Sequence, residues 1–195
     1  MRKSSGPIVG FRPRRDEEFT IRGAVRADVE SLRELIRESV VGLGGRDYSV
    51  EQIASALRHL FGVDTRLIDD GTYFVVEQPG RSGPVACGGW SRRRTLFGGD
   101  QYGERSDDRL DPATEAARIR AFFVHPDSAR RGIGASLIEA CERAARAEGF
   151  RRMELMATLT GIPLYERGGF AAKEPVEIVL PDGVRFPLVR MERPL

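Results

Sequence analysis

The stretch from Ala117 to Ala157 constrains the fold more than any other part of the chain. Ala117 to Val124 becomes wholly apolar at its end, as strands at the centre of a sheet do. His125-Pro126-Asp127 breaks it. Gly132-Ile133-Gly134 then opens a run to Glu148 that carries Leu137, Ile138, Cys141, Ala144 and Ala145 on one side, an amphipathic helix that Gly149 ends. Met153 to Ala157 is again strand-like. Such a connection sets two strands parallel with the helix across them.

The flanking segments read as antiparallel additions. Phe19 to Ala24 alternates as a first strand. Asp28 is placed to cap a helix carrying Val29, Leu32, Leu35, Ile36 and Val40, broken at Gly42, Gly44 and Gly45. Ser49 and Gln52 form a capping box before a second helix through Ile53, Ala56, Leu57 and Leu60. Thr72–Glu77 and Val85–Ser91 are strands, and Gly88 and Gly89 within the latter imply a bulge or a close neighbour. Residues 93–115 are polar and read as a long, functional or mobile loop. Ile162 to Arg167 is a short helix, and Phe170–Leu180 with Val184–Met191 is a hairpin about Pro181-Asp182-Gly183. The sum is an α/β fold: a mixed sheet with about four helices on its faces.

At 195 residues the chain is long enough for one cored domain, expected over 18–195 behind a flexible arm at 1–17. The net charge of +2 excludes a general attraction to nucleic acid or membrane. Arginines cluster at Arg12/Arg14/Arg15, Arg92–Arg94, Arg130/Arg131 and Arg151/Arg152, and all but the pair beside the glycines read as solvated surface. Cys87 and Cys141 give neither a disulfide framework nor a metal site and read as packed thiols. With no long apolar run and no leader-like N-terminus, a cytoplasmic location is expected.

Gly132-x-Gly134 at a helix start is suited to an anion. The first helical turn has N–H groups without partners, and the helix dipole adds positive potential. Glycine lets a phosphate come close to the main chain. A structural turn explains the same residues equally well. No Gly-Lys-Ser/Thr follows, so this is no P-loop, and Ser136-Leu137 stands where the dinucleotide fingerprint needs a third glycine.

The wider pattern resembles the GNAT superfamily of N-acyltransferases. It comprises Ala121-Phe122-Phe123-Val124-His125-Pro126, then Arg130-Arg131-Gly132-Ile133-Gly134, a helix, and Tyr165-Glu166-Arg167-Gly168-Gly169-Phe170. The resemblance spans the element order from about Phe19 onward. It implies a sheet splayed between its fourth and fifth strands, here Ala117–Val124 and Arg152–Ala157. It implies acetyl-CoA as cosubstrate, with no metal. The pyrophosphate would lie on Arg130, Arg131, Gly132, Ile133, Gly134, Ala135 and Ser136, and the pantetheine arm along Phe122, Phe123 and Val124. Two positions depart from the family pattern: Ala129 replaces the usual Arg or Gln, and Thr158 replaces a frequent Asn that contacts the pantetheine.

The reaction so implied moves an acetyl group to a primary amine by direct attack in a ternary complex. Tyr165 would be the acid that protonates the departing sulfur. A backbone N–H near Phe123 or Val124 would meet the carbonyl oxygen. Glu154 is a candidate base, while His125 reads as a turn residue. The segment Val41–Ser49, with Tyr48, would border the acceptor, and Phe97, Asp100 and Tyr102 of the long loop would approach it. The partners implied are acetyl-CoA and a small-molecule or peptide amine, with no nucleic acid or membrane; a homodimer through the terminal hairpin's edge is a further expectation. A non-catalytic acyl-CoA sensor fits the same glycine turn, and a nucleic-acid module on the arginine clusters lacks interleaved aromatics.

Overall fold

The structure, a computed structural model, describes residues 19–195. The arm expected at 1–17 and the Arg12/Arg14/Arg15 cluster lie outside the described residues. The elements are β1 (Thr20–Gly23), α1 (Val29–Gly44), α2 (Val50–His59), α3 (Thr65–Asp69), β2 (Tyr73–Glu77), β3 (Ala86–Ser91), β4 (Ala117–Val124), α4 (Ile133–Ala147), β5 (Arg152–Thr158), α5 (Ile162–Arg167), β6 (Ala171–Val179) and β7 (Arg185–Pro194). One seven-stranded sheet runs in the order β1-β2-β3-β4-β5-β7-β6. Only β4 and β5 are parallel, as the crossover requires; the other pairs are antiparallel.

Local chemistry accounts for the elements. Ser49 Oγ accepts from the Gln52 N–H at 3.1 Å and Gln52 Oε1 accepts from the Ser49 N–H at 3.0 Å, so the capping box forms as read. Helix α3 was not anticipated. It is only five residues long and is started by Asp64, whose carboxylate accepts from the Arg66 N–H at 3.2 Å. A helix this short carries too little hydrophobic periodicity to be read from sequence.

The sheet has a core on each face. Helix α4 lays Leu137, Ile138, Cys141 and Ala145 against Trp90, Ile119, Met153 and Leu155. Helix α1 lays Leu32, Leu35 and Ile36 against Tyr73, Val75 and Cys87. Both thiols are buried, and burial pushes Cys87 up to about 12 and Cys141 higher still, so neither is a thiolate near neutrality.

Residues 93–115 form a loop, but one tied down along its length. Arg94 N–H donates to Asp108 O at 2.9 Å and Leu110 N–H to Arg92 O at 2.8 Å, extending β3 into a ladder with Arg93 bridged to Arg109. Asp64, fully buried, pairs with Arg105 and with Arg120 Nη2 at 2.7 Å. The arginine triplet is not simply solvated: Arg92 pairs with Glu148 at 2.8 Å, Arg93 with Asp70 at 2.7 Å and Arg94 with Glu115 at 2.6 Å. Arg93 holds the Asp70 carboxyl below its usual range.

Strand β6 is one edge of the sheet, with Lys173, Glu174, Pro175 and Glu177 all exposed. Charges and a residue without an N–H make it a poor template for strand pairing, so this edge resists indiscriminate pairing.

Candidate active site

The site begins where β4 and β5 part. Their register contains only Ala117 with Met153 and Arg118 with Glu154. Beyond that, β5 continues to Thr158 and β4 to Val124 without pairing each other. A bulge helps to turn β4 away. Register against β3 shifts between Cys87 and Gly89, and Ala121 takes φ 54, a left-handed conformation uncommon for a residue with a side chain. The Phe122 ring lies over Gly88, where an added Cβ would come within 2.6 Å of it. The glycine pair in β3 therefore marks both a bulge and a close neighbour.

The gap opens into a cleft of about 1800 Å³. All the expected binding residues line it: Phe122, Phe123 and Val124 of β4, the segment from Ser128 to Ser136, and Thr158 and Tyr165 beyond β5. The turn between β4 and α4 has two positive φ values, 66° at Arg130 and 85° at Gly132. Gly132 is the N-cap of α4, and its carbonyl accepts from the Ser136 N–H at 3.1 Å. The N–H groups of Ile133, Gly134 and Ala135 precede the first intrahelical donor and remain orphaned by the helix. Gly134 serves packing as well, because a Cβ there would approach Leu164 Cδ2 to 2.9 Å. Arg131 stacks over Phe19 at 4.7 Å and reaches Gln78 Oε1 at 3.5 Å, so its guanidinium is positioned at the cleft.

Tyr165 is 8% exposed, between the rings of Phe122 and Phe170 at 6.2 and 5.8 Å. Burial raises its phenol above the usual range, so it stays protonated. Thr158 accepts from the Gly161 N–H at 3.1 Å and thereby shapes the entry to α5.

Other expectations are relocated. Val124 N–H donates to Ser39 Oγ of α1 at 3.2 Å, so the donor expected at the carbonyl already has a hydroxyl partner. Glu154 lies off the cleft, held by Arg118 and by Arg190 at 3.2 Å. His125 is a turn residue: Nδ1 accepts from the Asp127 N–H at 3.1 Å, and Nε2 lies 3.2 Å from Glu38. Tyr48 both lines the cleft and bolts its wall. Its hydroxyl donates to Pro187 O and accepts from the Leu159 N–H, each at 2.8 Å. Thr160 Oγ1 donates to Asp47 Oδ2 at 2.7 Å beside it. The glycine-rich segment is thus fastened to the far side of the cleft.

Sequence reading missed Ser39, Phe61 and Phe186 as cleft residues and Asp64 as a buried anion. The one signal was Arg120. A charge at the middle of a central strand, between apolar neighbours, demands a buried counterion, and Asp64 is that counterion.

Comparison with known proteins agrees with this geometry. The family model described as acetyltransferase (GNAT) family matches residues 31–170. The chain belongs to the GNAT family of acetyltransferases. Its fold is similar to that of a GCN5-related N-acetyltransferase from Rhodopseudomonas palustris. Identity there is 20% and the TM-score 0.66, over 97% of this chain and 100% of that one. It is also similar to the PaiA N-acetyltransferase from Thermoplasma acidophilum in complex with coenzyme A, at 16% identity and TM-score 0.61, over 91% and 99%. A phosphinothricin acetyltransferase from Sinorhizobium meliloti in complex with acetyl-CoA matches at 22% identity and TM-score 0.59, over 91% and 88%. No curated protein matches the chain. Among the described residues, no helix is long and apolar enough to cross a membrane.

Proposed function

We propose that the protein transfers an acetyl group from acetyl-CoA to a primary amine by direct attack in a ternary complex. One observation carries the reading: the stretch of β4 that β5 leaves unpaired leads from the splay to the orphaned amides of α4. An extended pantetheine can lie along that strand while a pyrophosphate rests on the helix start. Four arginines among the cleft residues, Arg46, Arg130, Arg131 and Arg167, against two carboxylates, Asp47 and Glu139, suit an anionic cosubstrate.

The neutral amine attacks the thioester carbon. A C–N bond forms, the C–S bond breaks, and the amine's surplus proton leaves to water. The Val124 N–H is taken up by Ser39 Oγ, so the Ser39 hydroxyl is the group that can donate its own proton to the carbonyl oxygen as charge develops there. Tyr165 faces the departing sulfur. Its raised pKa favours a hydrogen bond that stabilises the thiolate over complete early transfer.

The test is release of free thiol from acetyl-CoA across a panel of primary amines, with the acetylated product identified by mass spectrometry. Turnover supports the reading; coenzyme A binding without turnover of any amine replaces it with a sensor. Tyr165→Phe should lower kcat by about 10–100-fold with the KM for acetyl-CoA nearly unchanged. Because burial raises the phenol, a Tyr165-dependent fall in kcat should not begin below about pH 10. A kcat equal to that of the parent would remove Tyr165 from the chemistry.

A further inference from the structure

We infer that the acceptor is a primary amine carried on an aromatic or comparably bulky apolar body. The inference rests on the acetyl-transfer reading above and concerns the other half of the same cleft.

Four aromatic residues from four separate segments meet there: Tyr48 before α2, Phe61 after it, Phe123 of β4 and Phe186 of β7. They form one continuous wall. Phe61 stands edge-on to Phe123 at 5.8 Å and to Phe186 at 5.5 Å, and Phe186 stacks on Tyr48 at 4.3 Å. Tyr48 and Phe186 are buried, whereas Phe61 and Phe123 are half-buried and keep ring surface toward the cleft. Phe123 belongs to the stretch of β4 that pairs with β3 but no longer with β5, so the wall begins beside the place where the thioester would lie.

The polar groups of this wall are engaged within the protein. Both hydrogen-bonding capacities of the Tyr48 hydroxyl are used, and an Asp47 oxygen holds Thr160. Asp47, exposed at this end, is the carboxylate nearest the wall in sequence, and Arg46 beside it in the chain lines the cleft as well. A polyamine would bring several cations into that field and leave their hydration without replacement. A single amine on an apolar body replaces water against ring faces, and its ammonium form is attracted to those faces as it enters.

The experiment compares kcat/KM for 2-phenylethylamine, ethanolamine and spermidine with acetyl-CoA in excess. We expect 2-phenylethylamine to exceed both others by about thirtyfold, within the range an apolar pocket supplies. Phe61→Ala should bring that ratio close to one. Phe61→Leu keeps bulk at the position and should retain part of the preference, and melting curves for both variants show whether each is folded. Ethanolamine or spermidine equal to or better than 2-phenylethylamine would overturn the inference and leave acetyl transfer standing. Absence of turnover for every amine would remove the acetyl-transfer reading instead. Saturation-transfer NMR of 2-phenylethylamine, with coenzyme A present, then decides the inference alone. A signal lost in Phe61→Ala supports it, and no signal with the parent protein overturns it.

Discussion

The two halves of the cleft are built from different materials. The half at the β4–α4 turn is made of main chain: orphaned amides, a left-handed glycine and the side of β4 that faces away from β3 beyond the splay. The half between α1, α2 and β7 is made of side chains that reach in from separate segments. Main-chain recognition needs a local run of permissive residues, so the same design can be kept while sequences drift. Side-chain recognition depends on what tertiary packing brings together, and there a single substitution can change the ligand. The first half suits a cosubstrate shared across a family; the second suits an acceptor particular to this protein.

The largest effect should come from undoing what holds the second half. Asp64, Arg105 and Arg120 fasten the loop at 93–115 under the aromatic wall. Gln101 of that loop donates to the Phe61 carbonyl, and Gly99 N–H donates to Leu60 O at 2.8 Å. Phe97 and Tyr102 pack on the cluster containing Tyr48 and Phe186. Asp64→Ala leaves Arg120 buried without its counterion and should cost about 3–5 kcal/mol, lowering the melting temperature by roughly 10 °C. The double variant Asp64→Leu/Arg120→Met should recover much of the loss, since Arg105 keeps Asp100 at 2.7 Å and no buried charge is then left without a partner. A single variant that melts with the parent would show that the loop is held by its apolar contacts alone.

The first half should break more locally. Gly132 has φ 85 and open space around its missing Cβ, so Gly132→Glu meets no wall. It meets a backbone cost of about 1–2 kcal/mol and places a carboxylate on an anion site. We expect coenzyme A affinity to fall by about a hundredfold in calorimetry, from like-charge repulsion added to the backbone term. Gly132→Ala separates the two, keeping the backbone cost without the charge, and should lose less. Equal losses for both would assign the effect to the turn's shape and leave the phosphate unsupported there.

This contrast also explains what the sequence disclosed. The turn, the α4 cap, β4 and α5 were legible because their signals are local: a glycine at a positive φ, apolar periodicity, a proline at a helix start. The splay was legible only through resemblance, since nothing in the residues of β5 says where pairing stops. The aromatic wall was not legible. Phe61 and Phe186 are 125 positions apart, and no local signal ties either to the other. Ser39 was hidden in the same way, as a polar residue inside an amphipathic helix whose hydroxyl finds Val124 only when α1 packs on the sheet. The arginines at the start of the long loop misled because charge was taken for solvation. The loop's charges are satisfied by partners that lie far away in sequence, Asp64 and Asp70 above all.

The smallest expected effect sharpens the comparison most, because it changes a side chain in the half built of main chain. Arg130 has φ 66, a conformation that costs a residue with a Cβ about 1 kcal/mol. Arg130→Gly removes that cost, partly offset by the greater freedom glycine gains in the unfolded chain. The net change in stability should therefore stay within about 1 kcal/mol. The cation is lost as well. If the amides of Ile133, Gly134 and Ala135 carry the pyrophosphate, coenzyme A affinity should fall only a few-fold, and by less in high salt where exposed charges are screened. A loss approaching that of Gly132→Glu would make the guanidinium the principal contact, and the first half of the cleft would then rest on side chains just as the second does.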